Sequence, residues 1–265
     1  MRVAVIQLNS SGMLGNNLIA TQLLVQRAVK EGARLVVLPQ HFSSIPKDNR
    51  DWLLTQEEPG KGRVQQFMAQ IAKDYGVWIV GCIPLKTSDP MKITNSCLVY
   101  DRSGNQVARY DKRHLFDAYL GDLEQHEESE YTQAGHEICV IQTPFGKLGL
   151  AVGFDLRFVD HFKALRAAGA EIIALPAAFP FCVGEVHWQA LVSARAIDQQ
   201  AYVLAANQTG RHDNHWQTYG HSMIVGPWGR VKNQCGDCVG LAIADLDLNR
   251  LRFLREEFPH FNRQD

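Results

Sequence analysis

The 265-residue chain carries 27 basic and 28 acidic side chains, a formal charge of −1, so it has no net field with which to gather nucleic acid or anionic lipid. With 46% hydrophobic and 21% charged residues it has the make-up of a soluble globular protein and is long enough to bury a real core. Met1 leads straight into an apolar run without the layout of a signal peptide, and no stretch of ~18 apolar residues is available to span a bilayer, so a cytoplasmic location and no membrane partner are expected.

Short apolar runs alternate with amphipathic stretches from end to end, which predicts strands interleaved with helices in one domain over 1–265. Residues 3–8 read as a buried strand and 19–31 as the helix after it; 35–38 form a second buried strand, stopped by Pro39. The clearest helix is 64–73, where Val64, Phe67, Met68, Ile71 and Ala72 share one face, and 78–80 return as a strand. The pairs 96–100 with 106–110 and 139–142 with 148–152 flank turn sequences and read as hairpins. Helical patterns at 160–168 and 187–199 are each followed by a buried strand, 172–175 and 202–205. A last hairpin around Gly226-Pro227-Trp228-Gly229 leads to 241–244, and Asp247 is placed to cap a helix running to Phe253. One long non-periodic segment, 116–136, holds five acids between Asp122 and Glu130. A charge run of this kind is usually a solvated loop, although a loop this long in a compact domain is often functional.

Six cysteines are too sparse for a disulfide scaffold in a chain of this length. Cys82, Cys97, Cys139 and Cys182 stand singly in apolar surroundings, as buried free thiols do. Cys235 and Cys238 form a Cys-x-x-Cys with no second ligand pair nearby and no helix to open, so they read as turn residues. Neither a metal nor another cofactor is expected.

Several ordered segments carry a resemblance. They are 35–40, ending Leu38-Pro39-Gln40; 110–117, around Lys112-Arg113-His114; 149–158, around Gly153-Phe154-Asp155-Leu156-Arg157; and Ala194-Arg195-Ala196-Ile197-Asp198. Over essentially the whole chain this order resembles the nitrilase superfamily of carbon–nitrogen hydrolases. The runs 206–212 and 219–222 look most like its branch that hydrolyses deaminated glutathione. The resemblance implies an α/β fold, a four-layer α-β-β-α sandwich, and a homodimer paired through the helices that match 158–168 and 187–199. It also implies a small-molecule carboxylate or amide as ligand.

The family's reaction uses a thiolate to attack an amide or nitrile carbon, a carboxylate to move protons and a cation to hold the oxyanion. Carried over by motif, the carboxylate position is Gln40, the cation is Lys112 and the thiol position is Gly153. Gln fits the place of Glu but is no base, and Gly has no side chain, so thiol amidase chemistry is expected to be silenced while the turn keeps its shape. Glu128 matches the family's second glutamate beside the lysine, and the backbone N–H of Phe154 matches the other oxyanion donor. Glu185 falls in a loop that lines the family's pocket, and Cys182 is the one cysteine in a segment expected near it. Plainer readings stand beside these: Lys112 and Glu128 as a solvated ion pair, Glu185 as a helix-start residue, Cys182 as inert packing. Asp155 and Arg157 read as a structural pair, buried or at an interface. Two other functional readings stay open: an active amidase, through an unusual nucleophile such as Cys182 or as a mutated form of an active enzyme, and a dimeric scaffold with a vestigial pocket.

Overall fold

A computed structural model describes residues 1–119, 125–213 and 216–259. One sheet is built from β1 (Arg2–Gln7), β2 (Leu35–Gln40), β3 (Trp78–Lys86), β4 (Ile93–Tyr100) and β5 (Gln106–Asp111), with the late strand β16 (Gly240–Asp245) closing the edge beyond β1. Two short strands, β6 (Asp117–Tyr119) and β7 (Gln125–Glu127), make a separate hairpin. The second sheet contains β8 (Val140–Thr143), β9 (Gly146–Leu150), β10 (Ile172–Ala177), β11 (Tyr202–Asn207), β14 (Met223–Val225) and β15 (Val231–Gln234), in the order β15-β14-β11-β10-β9-β8. Strands β12 (Thr209–Arg211) and β13 (Gln217–Tyr219) pair with each other.

Helices α1 (Leu14–Lys30) and α2 (Arg63–Tyr75) cover one sheet, α3 (Val159–Ala167) and α4 (Phe181–Asp198) cover the other, and α5 (Leu248–Glu257) follows β16. The burial pattern shows why four layers form. Val3, Val5, Leu35 and Val37 point inward against Leu148, Ile172, Ala174 and Leu204 of the facing sheet, while the alternate residues Ala4, Val36 and Leu38 pack outward on α1 and α2. Likewise Ile173, Leu175 and Val203 meet Phe162, Leu165, Trp188 and Val192 of α3 and α4. Strands buried on both faces read as continuous apolar runs. The fold is the α-β-β-α arrangement that the resemblance implies.

Several boundaries differ from the sequence reading. α1 begins at Leu14, five residues before the expected start, because Asn17 donates to the carbonyls of Ser11 and Ser43 and anchors a first turn of unpromising composition. β2 runs through Pro39 to Gln40, with a register shift between Val37 and Gln40 that accommodates the missing N–H. α4 starts at Phe181, six residues earlier than expected. Gly184 permits that turn, since a Cβ there would stand 2.4 Å from the Cβ of Tyr219. Asp247 caps α5 as expected, accepting from the N–H of Arg250 at 2.9 Å. Within 116–136, the β6–β7 hairpin and a 3-10 turn at Glu128–Glu130 replace the expected loop, and Asp122 and Glu124 lie outside the described residues.

Within the first sheet β1, β2 and β3 are parallel, and within the second β9, β10 and β11 are parallel, so each sheet has a set of carboxyl ends where a ligand site forms most readily. Buried polar groups tie these ends together. Gln208 Nε2 donates to the carbonyl of Gln40, Ser10 N–H donates to Gln208 Oε1, and Ser222 N–H donates to Gln7 Oε1. Among the described residues no helix is long and apolar enough to cross a membrane.

Candidate active site

A cleft of about 520 Å³, counting its open mouth, lies at the carboxyl ends of β2, β9 and β10. Gln40 contributes the last residue of β2, Gly153 and Phe154 open a 3-10 turn just beyond β9, and Phe179 follows β10. Lys112 follows β5 and is held by its own N–H donating to Asn95 O at 2.9 Å. Gly153, Gln40 and Lys112, far apart in sequence, converge here: a Cβ built on Gly153 would stand 2.6 Å from Gln40 Oε1 and 3.9 Å from Lys112 Nζ.

Gly153 has φ +49°, in the left-handed region that side chains rarely adopt. The turn is held from below by Asp155, which is fully buried. Its carboxylate accepts from Val152 N–H at 2.8 Å, Tyr110 hydroxyl at 2.6 Å and His114 N–H at 3.1 Å, and pairs with His114 Nδ1 at 2.7 Å. Burial alone raises the carboxyl pKa, but the bonds from His114, Tyr110 and Val152 outweigh it and hold Asp155 below its ordinary value. The expected pair of Asp155 with Arg157 does not form, because Asp155 is committed to this network while Arg157 turns into the cleft.

Lys112 and Glu128 are a buried pair, not a solvated one. Nζ lies 2.5 Å from Oε2, with the two side chains 3% and 8% exposed. Glu128 also accepts from Asn95 Nδ2 and from Phe116 N–H, each at 2.6 Å. Such a satisfied pair survives burial because every strong acceptor site has a donor. The closing contact of the β6–β7 hairpin, Glu128 N–H to Phe116 O at 3.3 Å, is what draws an acid from a charged segment into the site.

Cys182 and Glu185 lie outside this cleft. Both are exposed on the first turns of α4, while their neighbours Pro180 and Val183 line the wall. The early start of α4 turns the expected loop into helix, and helical spacing sends alternate side chains away from the cleft. Cys235 and Cys238 lie in the irregular link between β15 and β16, and no group of three or more His, Cys, Asp or Glu among the described residues is placed to hold a metal.

Among the residues lining the cleft, the sequence reading did not place Arg157, His126, Trp216 and His41 there. Arg157 lies over the rings of Phe154 and Phe179, at 5.8 and 5.5 Å, with Nη2 3.2 Å from His187 Nδ1; burial lowers its pKa. His126 accepts from Trp216 Nε1 at 3.0 Å at the rim, and His41 forms part of the wall. The only sequence signal for Arg157 was its place four residues after Gly153; the others had none. Among the described residues the charged side chains lining the cleft are Lys112, Arg157 and Glu128, which leaves one positive charge in excess. The arrangement can hold an acceptor oxygen beside Lys112 and the Phe154 N–H and an anionic group near Arg157, but it presents no side-chain nucleophile at residue 153.

The chain matches the family described as Carbon-nitrogen hydrolase over residues 2–256. It is 38% identical over 260 residues to a deaminated glutathione amidase from Yersinia enterocolitica, covering 97% of this chain and 90% of that protein. Its fold superposes with a TM-score of 0.89 on a Saccharomyces cerevisiae member of branch 10 of the nitrilase superfamily, 29% identical, over 100% of this chain and 96% of that one. It also matches a double mutant of the amidase from Nesterenkonia sp. in complex with acrylamide, 25% identical, TM-score 0.81, over 98% of this chain and 95% of that one.

Proposed function

The chain belongs to the carbon–nitrogen hydrolase family of the nitrilase superfamily, and from that premise we propose that it binds a small carboxylate or amide without thiol-dependent turnover. One observation carries this reading. The position beside Lys112 that the motif assigns to the attacking thiol is Gly153, and the amide oxygen of Gln40 stands 2.6 Å from where a Cβ would be. No side chain is present there to form an acyl intermediate, and Gln40 cannot accept a proton from a nucleophile at working pH.

What remains suits recognition. A ligand carbonyl or carboxylate oxygen sits between Lys112 Nζ and the Phe154 N–H, and a second carboxylate lies near Arg157, whose guanidinium presents planar donors to such a group. Loss of two groups able to carry negative charge makes an anionic end more welcome than in a site that holds both. The relatives named deaminated glutathione amidase support a carboxylate-bearing ω-amide, or its acid product, as the ligand. The acrylamide complex of a doubly substituted amidase supports a pocket that keeps its ligand after substitution. Exposed apolar residues on α3 and α4, Val159, Val186 and Ile197, support pairing of two copies through these helices.

The test is calorimetric titration of the purified chain with succinamate, a small ω-amide, and with succinate, alongside an ammonia-release assay. Binding of either probe with no ammonia above buffer is expected. Ammonia release abolished by a thiol alkylator overturns the reading, and absence of binding by both probes favours a vestigial pocket.

A further inference from the structure

His41 follows Gln40 at the end of β2 and lines the cleft, although nothing in the family motifs singles it out. His41 is buried, with 5% of the residue exposed, and its backbone has φ +60°. Histidine enters the left-handed region more readily than most residues, but still at a cost. Its ring nitrogen Nδ1 is buried without a hydrogen-bond partner. The ring leans on Trp52, with centroids 4.2 Å apart and planes tilted by 43°. Packing on Trp52 would be served as well by an apolar ring, without an unpartnered polar atom, so the contact does not account for a histidine here.

Two unfavourable features at one residue of a cleft wall point to a demand made by something that enters the cleft. Burial, and after it the charge of Lys112, keeps the imidazole neutral. A neutral imidazole has one N–H, and a sealed nitrogen without an acceptor is better left as a lone pair than as a stranded donor. The proton is therefore assigned to Nε2. A neutral donor adds recognition of an oxygen without adding a third cation to Lys112 and Arg157.

We propose that His41 is a ligand-binding residue of this cleft, donating its Nε2–H to an acceptor oxygen of the bound carboxylate or amide. This rests on the reading that the cleft takes small carboxylates and amides, and extends it to a residue outside the family's motif.

The test uses the full chain and succinamate. Long-range proton–nitrogen spectra of the unaltered protein should show the Nε2–H tautomer of His41, with its Nε2 signal moving as succinamate saturates. His41→Phe keeps a ring on Trp52 but has no donor, and His41→Asn accepts the left-handed backbone but falls short of the ligand. Each should weaken succinamate by about tenfold, the effect of one hydrogen bond. If His41→Phe does not fold, His41→Asn and the spectra decide. An Nδ1–H tautomer, an Nε2 signal indifferent to ligand, or unchanged affinity in the folded variants overturns the assignment. Succinamate binding that Lys112→Met with Glu128→Gln weakens, while His41 stays silent, sinks this inference alone; no binding by the unaltered chain sinks it together with the reading beneath it.

Discussion

Gln40 Oε1 stands 2.6 Å from the point where a side chain on Gly153 would begin, so a side chain at 153 and the amide of Gln40 would claim one space. A Cys placed at 153 must displace the tip of Gln40 and adopt φ +49°. Gly153→Cys alone should therefore lose about 1–3 kcal/mol of stability in urea denaturation and release no ammonia from succinamate, since no base is restored. Gly153→Cys with Gln40→Glu should gain alkylator-sensitive ammonia release. Equal activity in the single and double variants would mean that Gln40 is not at the base position.

The pairing of Lys112 with Glu128 leads to a second expectation. Lys112→Met leaves a buried carboxylate with only Asn95 and the Phe116 N–H, and should cost about 3–5 kcal/mol. Lys112→Met with Glu128→Gln removes both charges and should recover most of that loss, while still binding succinamate more weakly than the unaltered chain. Denaturant midpoints of the three proteins decide it. A double variant no more stable than Lys112→Met would show that the pair itself, not the stranded charge, carries the stability.

Three buried histidines set a pH dependence. Burial lowers the pKa of His41, assisted by the charge of Lys112; burial also lowers those of His161 and His212, against smaller raising effects from Asp155 and from the Ser10 carbonyl. Each folded pKa lies below the unfolded value of about 6.5, so the unfolded chain binds more protons as pH falls through that value. Stability is thus complete above about 6.5 and declines below it, by up to about 1.4 kcal/mol per pH unit for each histidine. Denaturation midpoints between pH 7 and 5 should fall in this sense, and His41→Asn should make the fall shallower. A midpoint that rises on acidification over that range contradicts the assignment of neutral buried rings.

Assembly offers a fourth expectation. If copies pair through α3 and α4, Val186→Glu with Ile197→Glu should shift sedimentation at micromolar concentration from dimer to monomer with the fold intact by circular dichroism, because both residues are exposed in the single chain. A monomer before substitution, or a dimer unchanged after it, removes these helices as the interface.

Local sequence determined most of the layers and the central site positions. Apolar runs such as 35–38 and the 3.6-residue stripe of Val64, Phe67, Met68 and Ile71 encode burial in their own spacing, and motif order alone marks Gln40, Lys112 and Gly153. Tertiary structure alone decided the rest. Glu128 is marked by its match to the family's second glutamate, but the charged segment's own pattern does not bury it, and the hairpin that closes on Phe116 is what makes it a buried partner of Lys112. Arg157 reads as the natural mate of Asp155 until Tyr110, His114 and the Val152 N–H claim that carboxylate and leave the guanidinium for the cleft. Glu185 and Cys182 moved outside because a close approach of Gly184 to Tyr219 extends α4 toward its N-terminus. The physical reason is common to all of these. Periodicity reports which face of an element is apolar, whereas the partner of a polar group is chosen by chain segments distant in sequence, through burial that no local pattern records.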